Sequence, residues 1–270
     1  MSESTVFDVS REIVVITGAS GQLGLSYQEA FLNEGSIVVG VDICKSDEII
    51  ALETQYGAKY LFQIGDITSK DSLTACLARI VSDFGTPTVL INNAAIDSPP
   101  GAPLEETGPF EGYPEASWDK VVEVNLKGTF LACQIFGAAM ADAGRGSIVN
   151  VSSIYGLVAP DQSIYEYRRT RGESFYKPVA YSASKSGVLN LTRYLATYWA
   201  DKNVRVNSLT IAGVFNNQEK DFLDAYCDRI PIGRMAAPDE YNGSMIYLAS
   251  QASSYVTGTN LIVDGGWTAI

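Results

Sequence analysis

Tyr181 and Lys185 stand four positions apart in Tyr-Ser-Ala-Ser-Lys, with Ser153 upstream at what reads as the end of a strand. Four residues is about one helical turn, so both side chains leave the same face of a helix. A phenol titrates near about 10 and is a poor base at neutral pH. A lysine ammonium beside it favours the phenolate and should pull that pKa down. The chain contains no histidine, so imidazole acid–base chemistry and His-ligated metal sites are excluded and no metal centre is expected. The Tyr–Lys pair is then one of the few devices here that could move protons near pH 7. Alone, such a pair is usually no more than two neighbours on a helix; the rest of the chain has to give it meaning.

The elements that would position it alternate between apolar, β-rich runs and helical segments. Strands are predicted at Glu12–Thr17, Ser36–Asp42, Tyr60–Ile64, Thr88–Asn92, Ser147–Ser152, Val204–Thr210 and Asn260–Asp264. Helices are predicted from the glycine-rich turn after the first strand to about Asn33, and over Asp47–Tyr56, Ser69–Phe84, Ala116–Asp142 and Ala180–Asp201. Pro99–Pro114, with five prolines and three glycines, reads as a loop. Continuous apolar strands separated by helices mean a parallel sheet covered on both faces. At 270 residues with no evident linker, the expectation is one α/β domain over 1–270: a Rossmann-type, doubly wound parallel sheet of about seven strands.

Composition narrows the setting. The N-terminus lacks a basic start and an apolar run, and no stretch is apolar enough to span a bilayer, so a cytoplasmic, membrane-free protein is expected. Cys44, Cys76, Cys133 and Cys227 are widely spaced, as reduced thiols would be. A net charge of −12 argues against a nucleic-acid partner or an anionic membrane surface.

Between the first strand and its helix lies Thr17-Gly18-Ala19-Ser20-Gly21-Gln22-Leu23-Gly24. Glycines there allow a tight turn and let backbone approach a pyrophosphate at a helix N-terminus. Asp42 ends the next strand, 24 positions beyond Gly18, near the spacing of a carboxylate that bonds a ribose 2′-hydroxyl. It would repel a 2′-phosphate, and the turn offers no arginine to receive one, so NAD is favoured over NADP; Lys45 nearby is the opposing consideration.

With these residues in place the chain resembles the short-chain dehydrogenase/reductase family almost end to end. Gly65-Asp66-Ile67 is similar to the segment that the family sets against adenine, and Asn92-Asn93-Ala94-Ala95 to its Asn-Asn-Ala-Gly. Asn125 in Val-Asn-Leu-Lys-Gly and Ser153 in Asn-Val-Ser-Ser-Ile-Tyr-Gly match its remaining catalytic positions, and the end from Val256 to Gly266 looks like its final strand. The resemblance implies Asn125, Ser153, Tyr181 and Lys185 as the catalytic set. Tyr181 would exchange a proton with the substrate oxygen, Ser153 would bond that oxygen, and Lys185 would lower the tyrosine pKa and bond the nicotinamide ribose. Asn125 would hold a relay water. Ser152 competes with Ser153 for the serine role, and alignment on Ser-x-x-Gly places it on Ser153. The same resemblance implies cofactor contacts from Gly18, Ser20, Gly21, Gln22, Leu23, Asp42, Asp66, Ile67, Asn93, Ala94, Ala95, Tyr181, Lys185 and Val214, and self-association as a dimer or tetramer.

Three departures qualify it. Gln22 stands where the classical turn has glycine, and is expected to contribute mainly backbone. Ile211-Ala212 replaces the usual Pro-Gly after the sixth strand, leaving that bend without a fixed φ. Ser153 and Tyr181 lie 28 positions apart, about twice the family's span. The enlarged loop 154–180 and loop 95–116 are expected at the substrate site. Arg168, Arg169, Arg171 and Lys177 crowd the first of these; they are either a solvated surface or, through Arg168 and Arg169, receivers of an anionic substrate group. The expected activity is an NAD-dependent interconversion of a secondary alcohol and a ketone on a small sugar, polyol or sugar-derived, possibly acidic or phosphorylated substrate. The wording around Ile154-Tyr155-Gly156 is similar to members tied to sugar and surface-glycan pathways. The alternatives are an epimerase or dehydratase with retained cofactor, and a non-catalytic nicotinamide sensor.

Overall fold

The computed structural model describes residues 5–98, 101 and 103–270. Seven strands form one parallel sheet: β1 Ile13–Thr17, β2 Ile37–Asp42, β3 Tyr60–Ile64, β4 Val89–Asn92, β5 Gly146–Ser153, β6 Val204–Ile211 and β7 Asn260–Val263, in the order β3-β2-β1-β4-β5-β6-β7. Successive residues point to opposite faces of a strand, and here both faces are buried. Val14, Ile16 and Val38 pack with Tyr27, Phe31 and Leu32 of α1 (Gln22–Asn33), while Val15, Val39 and Leu90 pack on the other side with Leu73 and Ile80 of α3 (Lys70–Asp83). That double burial is why the strands read as continuous apolar runs.

The remaining helices are α2 (Asp47–Tyr56), a long helix α4 over 115–143, α5 (Val179–Tyr198), α6 (Lys220–Cys227) and α7 (Asn242–Ala249). Two stretches of α4, Glu123–Gly128 and Cys133–Gly137, widen to π-helical geometry. The expected loop 95–116 holds two single turns, Leu104–Thr107 and Phe110–Gly112; Pro99, Pro100 and Ala102 within it lie outside the described residues. β1 and β4 are neighbours although β2 and β3 intervene in sequence. The chain therefore reverses its winding direction there, opening a crevice at the C-terminal ends of these two strands.

A third apolar cluster sits beyond the sheet rather than against its faces. Ile154, Tyr155, Ile164 and Tyr165 of the enlarged loop pack with Tyr226, Ile230, Met235 and Trp267, and Phe175 and Tyr181 join them. The loop is thus a small folded layer over the strand ends, with a short helical turn at Glu166–Thr170.

Candidate active site

The glycine turn is shaped by contacts within the protein. Gly18 has φ +67°, and a Cβ there would come within 2.7 Å of Ala94 Cα. Gly24 would place a Cβ 2.1 Å from the Gly18 carbonyl oxygen. Gly21 differs: its φ is −79°, and an added Cβ would meet only the Gly18 oxygen, at an ordinary 3.5 Å. Gly21 precedes α1 with no side-chain cap, and the first turn of the helix carries no acid. Its leading N–H groups and positive dipole end are therefore free to face an anion. Asn93 fastens the turn to β4, donating Nδ2 to the carbonyls of Thr17 (3.2 Å) and Gly18 (3.1 Å).

From this turn a cleft of about 560 Å³ runs along the crevice. Gly18, Gly21, Gln22, Leu23, Asp42, Asp66, Ile67, Asn93, Ala94, Ala95 and Val214 all line it, with Val41, Ile43, Thr68, Ile96, Lys120 and Val124, which no motif marked; Tyr181 and Lys185 do not. Hydrophobic character at strand ends is the signal that could have found Ile43 and Ile96. Asp42 accepts the Ser20 N–H at 3.0 Å, and the Ser20 hydroxyl donates to the Cys44 carbonyl at 2.7 Å. Ser20 thus orients Asp42 and does not line the cleft. Gln22 does more than its backbone: Nε2 donates to the Phe215 carbonyl at 2.8 Å, tying the turn to the loop after β6. That loop lacks the usual proline but is held from outside. Gly213 donates its N–H to the Tyr226 hydroxyl at 2.8 Å, the Tyr241 hydroxyl donates to Ala212 O at 3.2 Å, and Val214 bridges Ala236.

The end of β5 and the first turns of α5 bring Ser153, Tyr181 and Lys185 to the same edge of the sheet. Strand alternation separates the two serines. Ser152 is buried and donates to the Lys185 carbonyl at 3.1 Å, whereas Ser153 faces the phenol. Lys185 is 4% exposed, donates Nζ to the Val151 carbonyl at 2.8 Å, and lies 5.8 Å from the Tyr181 ring centroid. Burial lowers its pKa to about 8. The expected depression of the Tyr181 pKa is not found. Burial raises it, Asp97 adds to the rise, and the Lys177 charge and the Ser153 hydroxyl oppose it. A lysine whose own charge is penalised by burial is a weak stabiliser of a neighbouring phenolate.

Asn125, in the first π-helical stretch, clamps Ile96 with both ends of its amide, accepting from the backbone N–H and donating to the carbonyl at 2.8 Å each. Nδ2 also donates to Ser184 Oγ at 3.1 Å, and its backbone carbonyl accepts from Thr129. The amide is therefore spent on positioning, and any relay would fall to the carbonyl.

The basic residues of the enlarged loop separate clearly. Arg168 bonds Glu173 and lies over the Phe175 ring; Arg169 bonds Glu166 and the carbonyls of Gln162 and Phe175; Arg171 pairs with Glu219 and Asp221. These contacts brace the loop and do not favour Arg168 and Arg169 as receivers of an anion. Lys177 is the cation of this group that meets the tyrosine, 5.4 Å from its ring centroid. Among the described residues no group of acidic or sulfur side chains is placed to hold a metal ion, and no helix is long and apolar enough to cross a membrane.

A parallel doubly wound sheet, a glycine turn at its switch point and a Ser–Tyr–Lys set at the same edge define a dinucleotide-binding α/β protein of the oxidoreductase type. The chain belongs to the short-chain dehydrogenase/reductase family. Residues 18–268 match the family model described as enoyl-(acyl carrier protein) reductase. The NAD-dependent glycerol dehydrogenase of Listeria innocua is 33% identical over 97% of this chain and 96% of that one. The 2-dehydro-3-deoxy-D-gluconate 5-dehydrogenase of Escherichia coli is 30% identical over 98% of both. Among solved structures, a short-chain dehydrogenase from Leptospira borgpetersenii with bound NAD+ superposes with a TM-score of 0.84 at 32% identity, covering 97% of this chain and 95% of that one.

Proposed function

We propose that this protein is an NAD-dependent dehydrogenase that interconverts a secondary alcohol and a ketone on a sugar-like or polyol substrate. The observation carrying the reading is the meeting of Ser153 and Tyr181 at the sheet edge beside a cleft that ends on Asp42. The residues suit a dinucleotide: an uncapped helix start with room at Gly21, and a strand-end carboxylate preset by Ser20. Gly21, Gln22 and Leu23 would hold the pyrophosphate, Asp42 the adenosine ribose, Asp66 and Ile67 the adenine, and Val214 the carboxamide. When bound, the nicotinamide supplies the hydride acceptor or donor.

In oxidation, Tyr181 Oη would take the proton of the substrate hydroxyl; in reduction it would return that proton. Ser153 Oγ donates to the same substrate oxygen and stabilises charge building there. Lys185 would bond the nicotinamide ribose. Asp42 favours the 2′-hydroxyl of NAD over a 2′-phosphate by charge repulsion. The relatives that act on glycerol and on a deoxygluconate support the substrate class.

The test is NADH accumulation with a panel of alditols, aldonates and sugar phosphates, using wild type and Tyr181→Phe. Turnover in the wild type, lost in Tyr181→Phe with NAD affinity retained, is expected. No net NADH with any alcohol, or a preference for NADP, overturns the corresponding part.

A further inference from the structure

Lys177 and Asp97 occupy a place that no motif of the sequence accounts for. Lys177 lies in the enlarged loop, four residues before Tyr181; Asp97 lies just beyond β4. Their side chains form an ion pair, with the Lys177 side chain largely buried and Asp97 half exposed. The ammonium sits over two rings at once, 5.4 Å from the centroid of Tyr181 and 5.8 Å from that of Tyr155. Its backbone is fixed as well, the Lys177 N–H donating to Gln162 Oε1 at 2.9 Å. A cation held this firmly over the Tyr181 ring acts on the charge of that phenol, and its partner decides what charge the site presents.

Lys177, though not Asp97, also lines a second cavity, of about 700 Å³, together with Tyr155. Glu106 lines it at 1% exposure: Oε2 accepts from the Ser117 hydroxyl at 3.0 Å, and among the described residues Oε1 has no partner. The Tyr113 and Ser182 hydroxyls on the same wall also lack partners there. Glu106 and Glu111 line the cavity with Lys177, whose charge is already met by Asp97, so the region is left negative. Arg168, Arg169 and Arg171 cannot offset it, since each carries its own acidic partner.

We propose that the Asp97–Lys177 pair is the specificity determinant of this enzyme, selecting uncharged polyhydroxy substrates over their carboxylate analogues. The carboxylate accepts from a substrate hydroxyl and repels a substrate anion; the ammonium donates to hydroxyl oxygens and, opposite Asp97, sets the protonation of Tyr181. This inference deepens the acid/base reading of Tyr181 given above and rests on it. Tyr181 is faced by Lys185 from its own helix, Lys177 from the enlarged loop, Asp97 from beyond β4, Tyr155 from beyond β5 and Tyr226 from α6. Removing Asp97 alone leaves an unopposed cation, so the phenol should titrate lower; removing Lys177 alone should move it higher.

The test compares D-glucitol with D-gluconate, which differ at one end of the chain in charge, on full-length wild type, Asp97→Asn and Lys177→Met. Wild type is expected to favour the alditol in kcat/KM. Asp97→Asn should move that ratio toward the aldonate by roughly tenfold, the scale of one close, partly screened charge. The acid limb of its kcat/KM–pH profile should move to lower pH, and that of Lys177→Met to higher pH. Carbon-13 NMR of tyrosine labelled at Cζ, assigned with Tyr181→Phe, reads the same two shifts without turnover. A wild-type preference for the aldonate, or an Asp97→Asn ratio within twofold of wild type, overturns the inference while the acid/base assignment stands. If neither compound nor any alcohol panel member is oxidised, the functional reading fails, and unmoved NMR titrations in the variants overturn the pair's role separately.

Discussion

Ser152 and Ser153 cannot be told apart by composition, since both are small hydroxyls at one strand end. What separates them is the period of two along β5, which sends one hydroxyl to the Lys185 carbonyl and the other to the phenol. Ser153→Ala should lower kcat/KM by about 10²–10³, the cost of one donor to a developing oxyanion. Ser152→Ala should retain most turnover and lose about 1 kcal/mol of stability with its buried hydrogen bond. Steady-state kinetics and urea unfolding of both variants check this; equal catalytic losses would contradict it. Lys185 supports a second residue-scale expectation. Its pKa falls from 10.5 to about 8 on burial, so between those values the unfolded chain holds a proton that the folded one lacks. Stability therefore rises with pH across that window and carries the full penalty below it. Lys185→Met should be inactive, yet more stable at pH 7 by about 2–3 kcal/mol, with the rise between pH 8 and 10.5 flattened. Chemical unfolding at several pH values measures this, and a less stable variant at pH 7 would refute it. The candidate catalytic residues were legible as residue types and spacings. Their pKa directions were not, because burial and the approach of Asp97 from beyond β4 are long-range facts that the Tyr181–Lys185 spacing does not contain.

At the scale of elements, the strands lie within one or two residues of their predicted ends because runs such as Ile13–Thr17 are apolar on both faces and bounded by turn residues. α6 and α7 went unread: each is eight residues long, too short for a helical period to stand out from loop composition. The two π-helical stretches of α4 leave no mark in the pattern either, although one of them carries Asn125. The Rossmann turn was readable in type, but its three glycines have different reasons. Gly18 and Gly24 are required by the protein itself, through left-handed φ at one and a 2.1 Å approach at the other. Gly21 has ordinary φ and room for a methyl, so its reason must lie in the cleft it lines. Gly24→Ala should therefore unfold or severely destabilise the protein by several kcal/mol, since backbone rather than a pliable side chain obstructs the Cβ. Gly21→Ala should melt within a few degrees of wild type while the Kd for NAD rises at least tenfold. Thermal melting with and without NAD, together with calorimetric titration, distinguishes the two; a Gly21→Ala protein that binds NAD normally would remove the pyrophosphate assignment from this turn.

Over the whole molecule, what gathers the site is the parallel arrangement itself. All seven strands end on the same side, so the glycine turn, Asp42, Asn93, Ser153 and the loop after β6 converge although they are spread over two hundred positions of sequence. The opposite organisation is seen on the surface. α4 and α5, which carry Asn125, Tyr181 and Lys185, pack together, and their outer faces show aromatic rings to solvent. Phe130 is 44% exposed, and Tyr194 and Tyr198 are each more than 60% exposed and stack at 5.9 Å. Large apolar side chains gathered on neighbouring helices mark an interaction face more often than a solvated one. With a net charge of −12, two copies would meet there only if apolar burial exceeded mutual repulsion, so association should strengthen with salt. The expected state is a dimer or tetramer joined across α4 and α5, in which each catalytic helix is stiffened by the partner's. Light scattering coupled to gel filtration should return a multiple of 29.1 kDa. The double variant Phe130→Arg, Tyr194→Arg should run as a single chain with reduced kcat. Its cofactor affinity should be little changed, because neither Phe130 nor Tyr194 lines the cofactor cleft. A wild-type mass of one chain at micromolar concentration and 0.15 M salt would refute the assembly, and a monomeric double variant with full kcat would show that the catalytic helices need no partner to hold their geometry.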